Sequence, residues 1–165
     1  MRSHEVFARM TPARAEAFLA ELRQDAPQVS EMALAAAAGA FKLRPAFLKK
    51  QSRGKQAEWV RKALARGVMA AVAEEILAEY FLGHHKALLT EWLDAVGLEH
   101  EEGVLKTSAP PAPESGPLRK AFDAFASGEN PERRHLLLAA FAAQSAIDWP
   151  ELESLLTGDG GGARA

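Results

Sequence analysis

The sequence contains no cysteine and a single tyrosine, and its longest uncharged runs are short. Without cysteine there is no disulfide, no thiol nucleophile and no thiolate metal site. The runs "MALAAAAGAF" and "LLLAAFAAQSAI" are largely alanine and fall below the ~18 apolar residues that a membrane span needs. The opening "MRSHEVFARM" lacks an apolar stretch, so we expect no signal peptide, and the missing cysteine fits a cytoplasmic protein. Also missing are a glycine-rich phosphate loop, a dinucleotide fingerprint, a G-x-S-x-G elbow and an H-E-x-x-H pair. These absences remove the common sequence signatures of an enzyme and lean the reading away from catalysis without naming an activity.

Strand-like alternation is scarce as well, whereas helical spacing recurs throughout. Thr11 and Pro12 read as an N-cap followed by proline at the first helical turn. "SEMALAAAAGAF" predicts a buried helix whose alanine sides let a neighbour approach to about 8 Å. "RPAFLKKQ" predicts a short helix, and after the break "SRG" the run "KQAEWVRKALAR" predicts another. A long helix is expected from Val68 to Val96, with Gly83 as a possible break, Gly97 as its terminating glycine and Leu98 as the hydrophobic contact of the motif. Beyond the prolines, helices are expected in "PLRKAFDAFASG" and in "NPERRHLLLAAFAAQSAI", the latter capped by Asn130 and central to the core. A last short helix follows "DWPE", where Asp148 and Glu151 have capping-box spacing.

The expected fold class is therefore all-α, a single compact domain of six to eight helices in an irregular bundle with a proline-rich strap. A helical domain over residues 1–157 would contain the strap at 104–117, since Pro110, Pro111, Pro113 and Pro117 favour an extended connection. Residues 158–165, "GDGGGARA", are expected to form a disordered tail.

Three of the five histidines lie between Glu79 and Gly103. One helix chelates a metal through residues at i and i+3 or i+4, which share a face. From His84 those positions are Ala87 and Leu88, and from His85 they are Leu88 and Leu89. We therefore expect no metal and no cofactor, and keep a metal or small-molecule site near His84, His85 and His100 as a second alternative. If Gly83 does not break the helix, His85 joins the stripe Leu77, Phe81, His85, Leu88, Trp92 and Val96 as a half-buried core residue. The pairs Glu75–Glu79 and Glu91–Asp94 read as solvated helix faces. "EHEEG" is an acidic loop without the alternating ligands of an EF-hand.

Charge is the most informative feature. Residues 1–66 carry 13 Lys and Arg against 6 Asp and Glu, net +7, and residues 67–165 carry 7 against 16, net −9. Between Lys42 and Arg66 stand nine cations and one acid, Glu58, with Phe41, Phe47 and Trp59 interleaved. Lys42, Arg44, Lys49, Lys50, Arg53 and Lys55 are the expected partner-binding residues. Arg61, Lys62 and Arg66 are expected to meet Glu74, Glu75 and Glu79 across a hairpin at Gly67. The expected function is protein interaction or regulation through a polarised surface, with a protein partner or self-association, the "EHEEG" loop of a second copy among the candidates. Nucleic-acid binding through residues 42–66 is the alternative, because cations track phosphates and aromatic rings stack on bases. No membrane partner is expected.

Overall fold

The computed structural model describes residues 1–158, and these are all-α apart from one small hairpin. Ten α-helices occur among the described residues: α1 Ser3–Arg9, α2 Pro12–Asp25, α3 Pro27–Ala40, α4 Pro45–Lys49, α5 Arg53–Leu64, α6 Ala70–Ala78, α7 Lys86–Ala95, α8 Ser115–Ala126, α9 Pro131–Ala142 and α10 Pro150–Thr157. Two additions raise the number above six to eight. The opening segment forms α1, and the long helix expected after Gly67 is divided into α6 and α7. None of these helices is long and apolar enough to cross a membrane. Of the expected tail only Gly158 is described, in the left-handed conformation that ends α10, and residues 159–165 lie outside the described part.

The chain separates into two compact units, one of Arg2–His84 and one of Met1 with the residues from His85 onward. In the first unit α5 packs against α1, α2 and α3, and α1 against α6. Ala33, Ala37 and Ala38 of α3 are buried, as are Ala57, Val60 and Ala63 of α5, so small side chains line the faces of both helices. Phe7, Phe18 and Tyr80 fill the rest of the core edge to face, with centroids 5.8 and 5.0 Å apart. The lone tyrosine is fully buried, and its hydroxyl bonds the Glu21 carboxylate, which also holds Arg14 at 3.2 Å. Thr11 Oγ1 accepts from the Arg14 N–H at 3.2 Å, so the expected cap of α2 is present.

The expected stripe through His85 does not exist as one face. Glu79–His84 form a π-helical turn after α6, and His85 leaves the helix as the residue preceding α7. A π-turn inserts extra residues into the helical register and rotates everything beyond it. The buried positions of α7 are accordingly Leu89, Trp92 and Leu93, while Leu88 and Val96 are only half-buried. His85 is half-buried, and its carbonyl accepts from the Leu88 and Leu89 N–H groups. Gly97, at φ 71°, terminates α7 as expected, with the Leu98 N–H bonding the Leu93 carbonyl at 2.9 Å.

In the second unit α9 is buried nearly all round, as its sequence suggests. Trp92 of α7 meets Phe125 of α8 and Phe141 of α9, and Phe141 meets Trp149 at 5.2 Å. Trp149 Nε1–H donates to the Pro110 carbonyl at 3.0 Å and ties the proline-rich strap to the core. The expected cap of α10 by Asp148 is not formed. Trp149 stands at the cap position with Pro150 first in the helix, and no side chain caps it. Asn130 likewise precedes Pro131 without a side-chain cap bond, because it takes a left-handed conformation.

"EHEEG" is not an irregular loop. His100–Glu101 and Val104–Leu105 form an antiparallel hairpin in which His100 pairs with Leu105 and Glu101 with Val104. Glu102 and Gly103, at φ 49° and 90°, make the two-residue turn with positive φ at both positions that tight hairpins prefer.

Candidate functional site: a basic corner between α3 and α5

Each of the six expected partner-binding residues, Lys42, Arg44, Lys49, Lys50, Arg53 and Lys55, is exposed. They lie on the connection that runs from the end of α3 through α4 to the first turn of α5. Lys42 sits just past α3 in a left-handed conformation at φ 54°, with the Leu43 N–H bonded to the Ala38 carbonyl at 2.8 Å. Arg44 is extended because Pro45 follows it, and Pro45 opens α4. Leu48, 1% exposed, pins this short helix to the core while Phe47 stands 49% exposed among the cations. Ser52 then caps α5, its Oγ accepting from the Lys55 N–H at 3.3 Å. The break expected at "SRG" is thus shorter than three residues, since Arg53 and Gly54 already belong to the helix.

The backbone of this corner is fastened from beneath by Gln56. Its buried amide donates to the Lys49 carbonyl at 3.0 Å and to the Gln51 carbonyl at 3.1 Å, and its oxygen accepts from Arg23. Burial and the nearby Arg53 guanidinium lower the pKa of Arg23, against the opposing influence of Glu16. Gln56 was not singled out by the sequence. Its only signal there is a polar residue immediately before the apolar side of α5, a pattern shared by most helices.

Acidic neighbours come from the fold and only at the margins. Glu31 of α3 reaches Lys49 Nζ at 2.8 Å. The Glu16 carboxylate lies beside Gly54, 3.5 Å from where a Cβ would stand. Glu58 pairs with Lys62 one turn along α5 at 2.8 Å, and that hydrogen bond and charge lower the Glu58 pKa. Arg66 donates to the Ala40 carbonyl at 2.9 Å and lies 5.6 Å from the Phe41 ring centroid. Lys62 and Arg66 therefore take partners other than the acids of α6 that the sequence suggested. Phe41 and Trp59 stack edge to face at 4.9 Å and are half-buried, so Phe47 alone of the three interleaved aromatics projects from the basic corner.

Two of these cations occupy positions that the fold by itself disfavours. A side chain in the left-handed conformation at the end of a helix is strained where glycine would not be. A cation in the first turn opposes the helix dipole, and the third position after a capping serine favours glutamate. We therefore expect Lys42→Gly to be neutral or stabilising by up to about 1 kcal/mol. Lys55→Glu is expected to stabilise by about 0.3–1.5 kcal/mol, by completing the box with Ser52. Urea denaturation of the two variants checks both, and a clear loss of stability for Lys55→Glu would show that this lysine serves the fold.

The histidine and carboxylate groups do not assemble in the same way. Among the described residues no three His, Asp or Glu side chains come together as a metal site. His84 is exposed at the end of the π-turn. His100 Nδ1 accepts from the Gly103 N–H at 3.2 Å, which leaves Nε2 as the donor to Asp94 at 2.9 Å. Glu91 binds Arg134 rather than solvent alone. Glu91 and Asp94 are both exposed, as a solvated face requires, and each also holds a residue of its own unit, Arg134 and His100. Compared with protein-family models, with curated proteins and with solved structures, the chain matches none.

Proposed function

We propose that the protein is a cytoplasmic interaction module that docks an acidic protein surface on the α3–α5 corner. The observation that carries this reading is the exposure of six cations and of Phe47 on one short connection, two of the cations at backbone positions where other residues would serve stability better. Residues retained against local stability are a mark of surfaces kept for binding. An exposed aromatic and exposed arginines are also residue types enriched at interfaces. The anchoring by Gln56 keeps the connection ordered before a partner arrives, which lowers the entropy lost on docking.

Nucleic acid is supported less well, because Phe41 and Trp59 are engaged with each other and leave one ring for stacking. The test is a comparison of two labelled probes, a short glutamate-rich peptide with one central valine and a random-sequence DNA duplex. The peptide should bind more tightly at about 0.15 M salt, and both Phe47→Ala and Lys50→Glu should weaken it. Tighter binding of the duplex, with a steep salt dependence and no effect of Phe47→Ala, would give the surface to nucleic acid. Binding of neither probe would overturn the proposal.

A further inference from the structure

Among the described residues three large hydrophobic side chains are exposed, Phe47 at 49%, Val68 at 84% and Val104 at 60%. Two of the three stand in surroundings of opposite charge. Phe47 on α4 is flanked by the exposed Arg44 and Lys50, the residues that bound this short helix at its two ends. Val104 on the hairpin lies directly across from Glu101, with Glu102 at the turn beside it. Alternation along a strand then sorts the hairpin into two faces. His100 and Leu105 are half-buried, and His100 is held by Asp94. Glu101 and Val104 face the other way and are exposed. Glu99 shares that outer face but stands opposite Lys106, whose N–H bonds its carbonyl, and Glu102 lies 3.4 Å from Lys86. Glu101 stands directly across from Val104 and its carboxylate meets no cation among the described residues.

We infer that the basic corner of one copy takes the acidic hairpin of a second copy, Phe47 meeting Val104 while Lys50 and Arg44 face Glu101 and Glu102. This rests on the docking role proposed above and names its partner. Each side offers one apolar side chain flanked by charge, and the signs are complementary. The same complementarity extends to the units that carry them. Arg2–His84 contains 13 Lys and Arg against 9 Asp and Glu, net +4. Met1 with His85–Ala165 contains 7 against 13, net −6, and the two add to the −2 of the whole chain. The hairpin is also suited to being bound as a fixed shape, since its two-residue turn sets the register that puts Glu101 beside Val104.

The experiment uses the full chain and two charge-reversed variants. One carries Arg44→Glu and Lys50→Glu, so that the two corner positions set against the hairpin are acidic like it. The other carries Glu101→Lys and Glu102→Lys, so that corner and hairpin are both basic. The unmodified protein should associate in light scattering at about 0.05 M salt and dissociate towards about 0.5 M. Each variant alone should be monomeric. An equimolar mixture should associate again, because each corner then meets a hairpin of opposite charge. Phe47→Ala and Val104→Ala leave charge untouched and should each weaken self-association about tenfold. A monomeric unmodified protein at every salt concentration, or a mixture that stays monomeric, would overturn the inference. If the monomer still binds the glutamate-rich peptide through Lys50 and Phe47, only the identity of the partner has failed. If peptide binding is absent as well, the docking role falls with it.

Discussion

Replacing Arg134 with methionine should destabilise the protein by about 2–4 kcal/mol, although Arg134 is remote in sequence from every feature that suggested function. Arg134 is 9% exposed and its guanidinium meets four acceptor oxygens from three residues. It grips both oxygens of Glu91 at 2.7 and 3.1 Å, and donates to the Glu129 carbonyl at 2.8 Å and the Phe125 carbonyl at 3.3 Å. Its plane also lies 4.6 Å from the Phe125 ring centroid. The Phe125 carbonyl belongs to the last turn of α8, where the helix dipole favours a cation, and it also accepts from the Gly128 N–H at 3.2 Å. Methionine fills similar volume but removes the Glu129 carbonyl's side-chain donor, one of the donors to the Phe125 carbonyl, and the counter-charge of Glu91.

Glu91→Gln provides the contrast. The Glu91 side chain is 52% exposed, so water replaces its partner and the loss should be only about 0.5–1 kcal/mol. Gly128 supplies a steric test of the same site. A Cβ there would stand 2.5 Å from Arg134 Cζ, so Gly128→Ala should push the guanidinium aside and destabilise by about 1–3 kcal/mol. Urea denaturation of the three variants decides between the roles. Equal losses for Arg134→Met and Glu91→Gln would mean that the ion pair, rather than the carbonyls, sets the value of this arginine.

Arg134 was also within reach of the sequence, through a signal that the apolar bias of α9 conceals. Arg134, Leu137, Leu138 and Phe141 fall at i, i+3, i+4 and i+7, so a charged residue lies on the buried stripe itself. Reading "ERRHLLLAAF" for its hydrophobic residues alone passes over the one that breaks the pattern. Features set by adjacent residues were legible, including the Thr11 cap, the termination at Gly97 and Leu98 and the burial of the alanines in α3. The π-turn at 79–84 was not. It shifts the register without a diagnostic residue, and Gly83 marks the place without saying whether the helix bends, widens or ends. The exposure of the six cations followed from their charge and spacing. What the sequence withheld was their support, because Gln56 and Glu31 reach the corner only once α3 and α5 are packed together. The acidic hairpin escaped for a related reason. Its strands are two residues long, too short for alternation to register, and the turn carries Glu-Gly where Asn-Gly or Asp-Gly would have advertised it.

Trp149→Ala should cost about 3–5 kcal/mol, the range for removing a large aromatic side chain from a packed core. The residue is 1% exposed and packs against Phe141, so the cavity term alone accounts for most of that loss. The strap gives the substitution a second consequence. Pro110 is buried, and its carbonyl accepts from Trp149 Nε1–H at 3.0 Å. Few other backbone bonds hold the connection, since prolines carry no N–H of their own. Trp149→Phe separates the two contributions by keeping a ring and removing the donor. It should cost about 1–2 kcal/mol, because a buried carbonyl is left unpaired. Trp92→Phe serves as the control, for the Trp92 ring is equally buried but its Nε1 has no hydrogen-bond partner among the described residues. Limited trypsin digestion reads the strap directly, through cleavage after the exposed Lys106. Cleavage there should accelerate in Trp149→Phe but not in Trp92→Phe, at matched global stability. If both variants are cut at the same rate, the strap is held by packing of its prolines and the indole hydrogen bond is incidental.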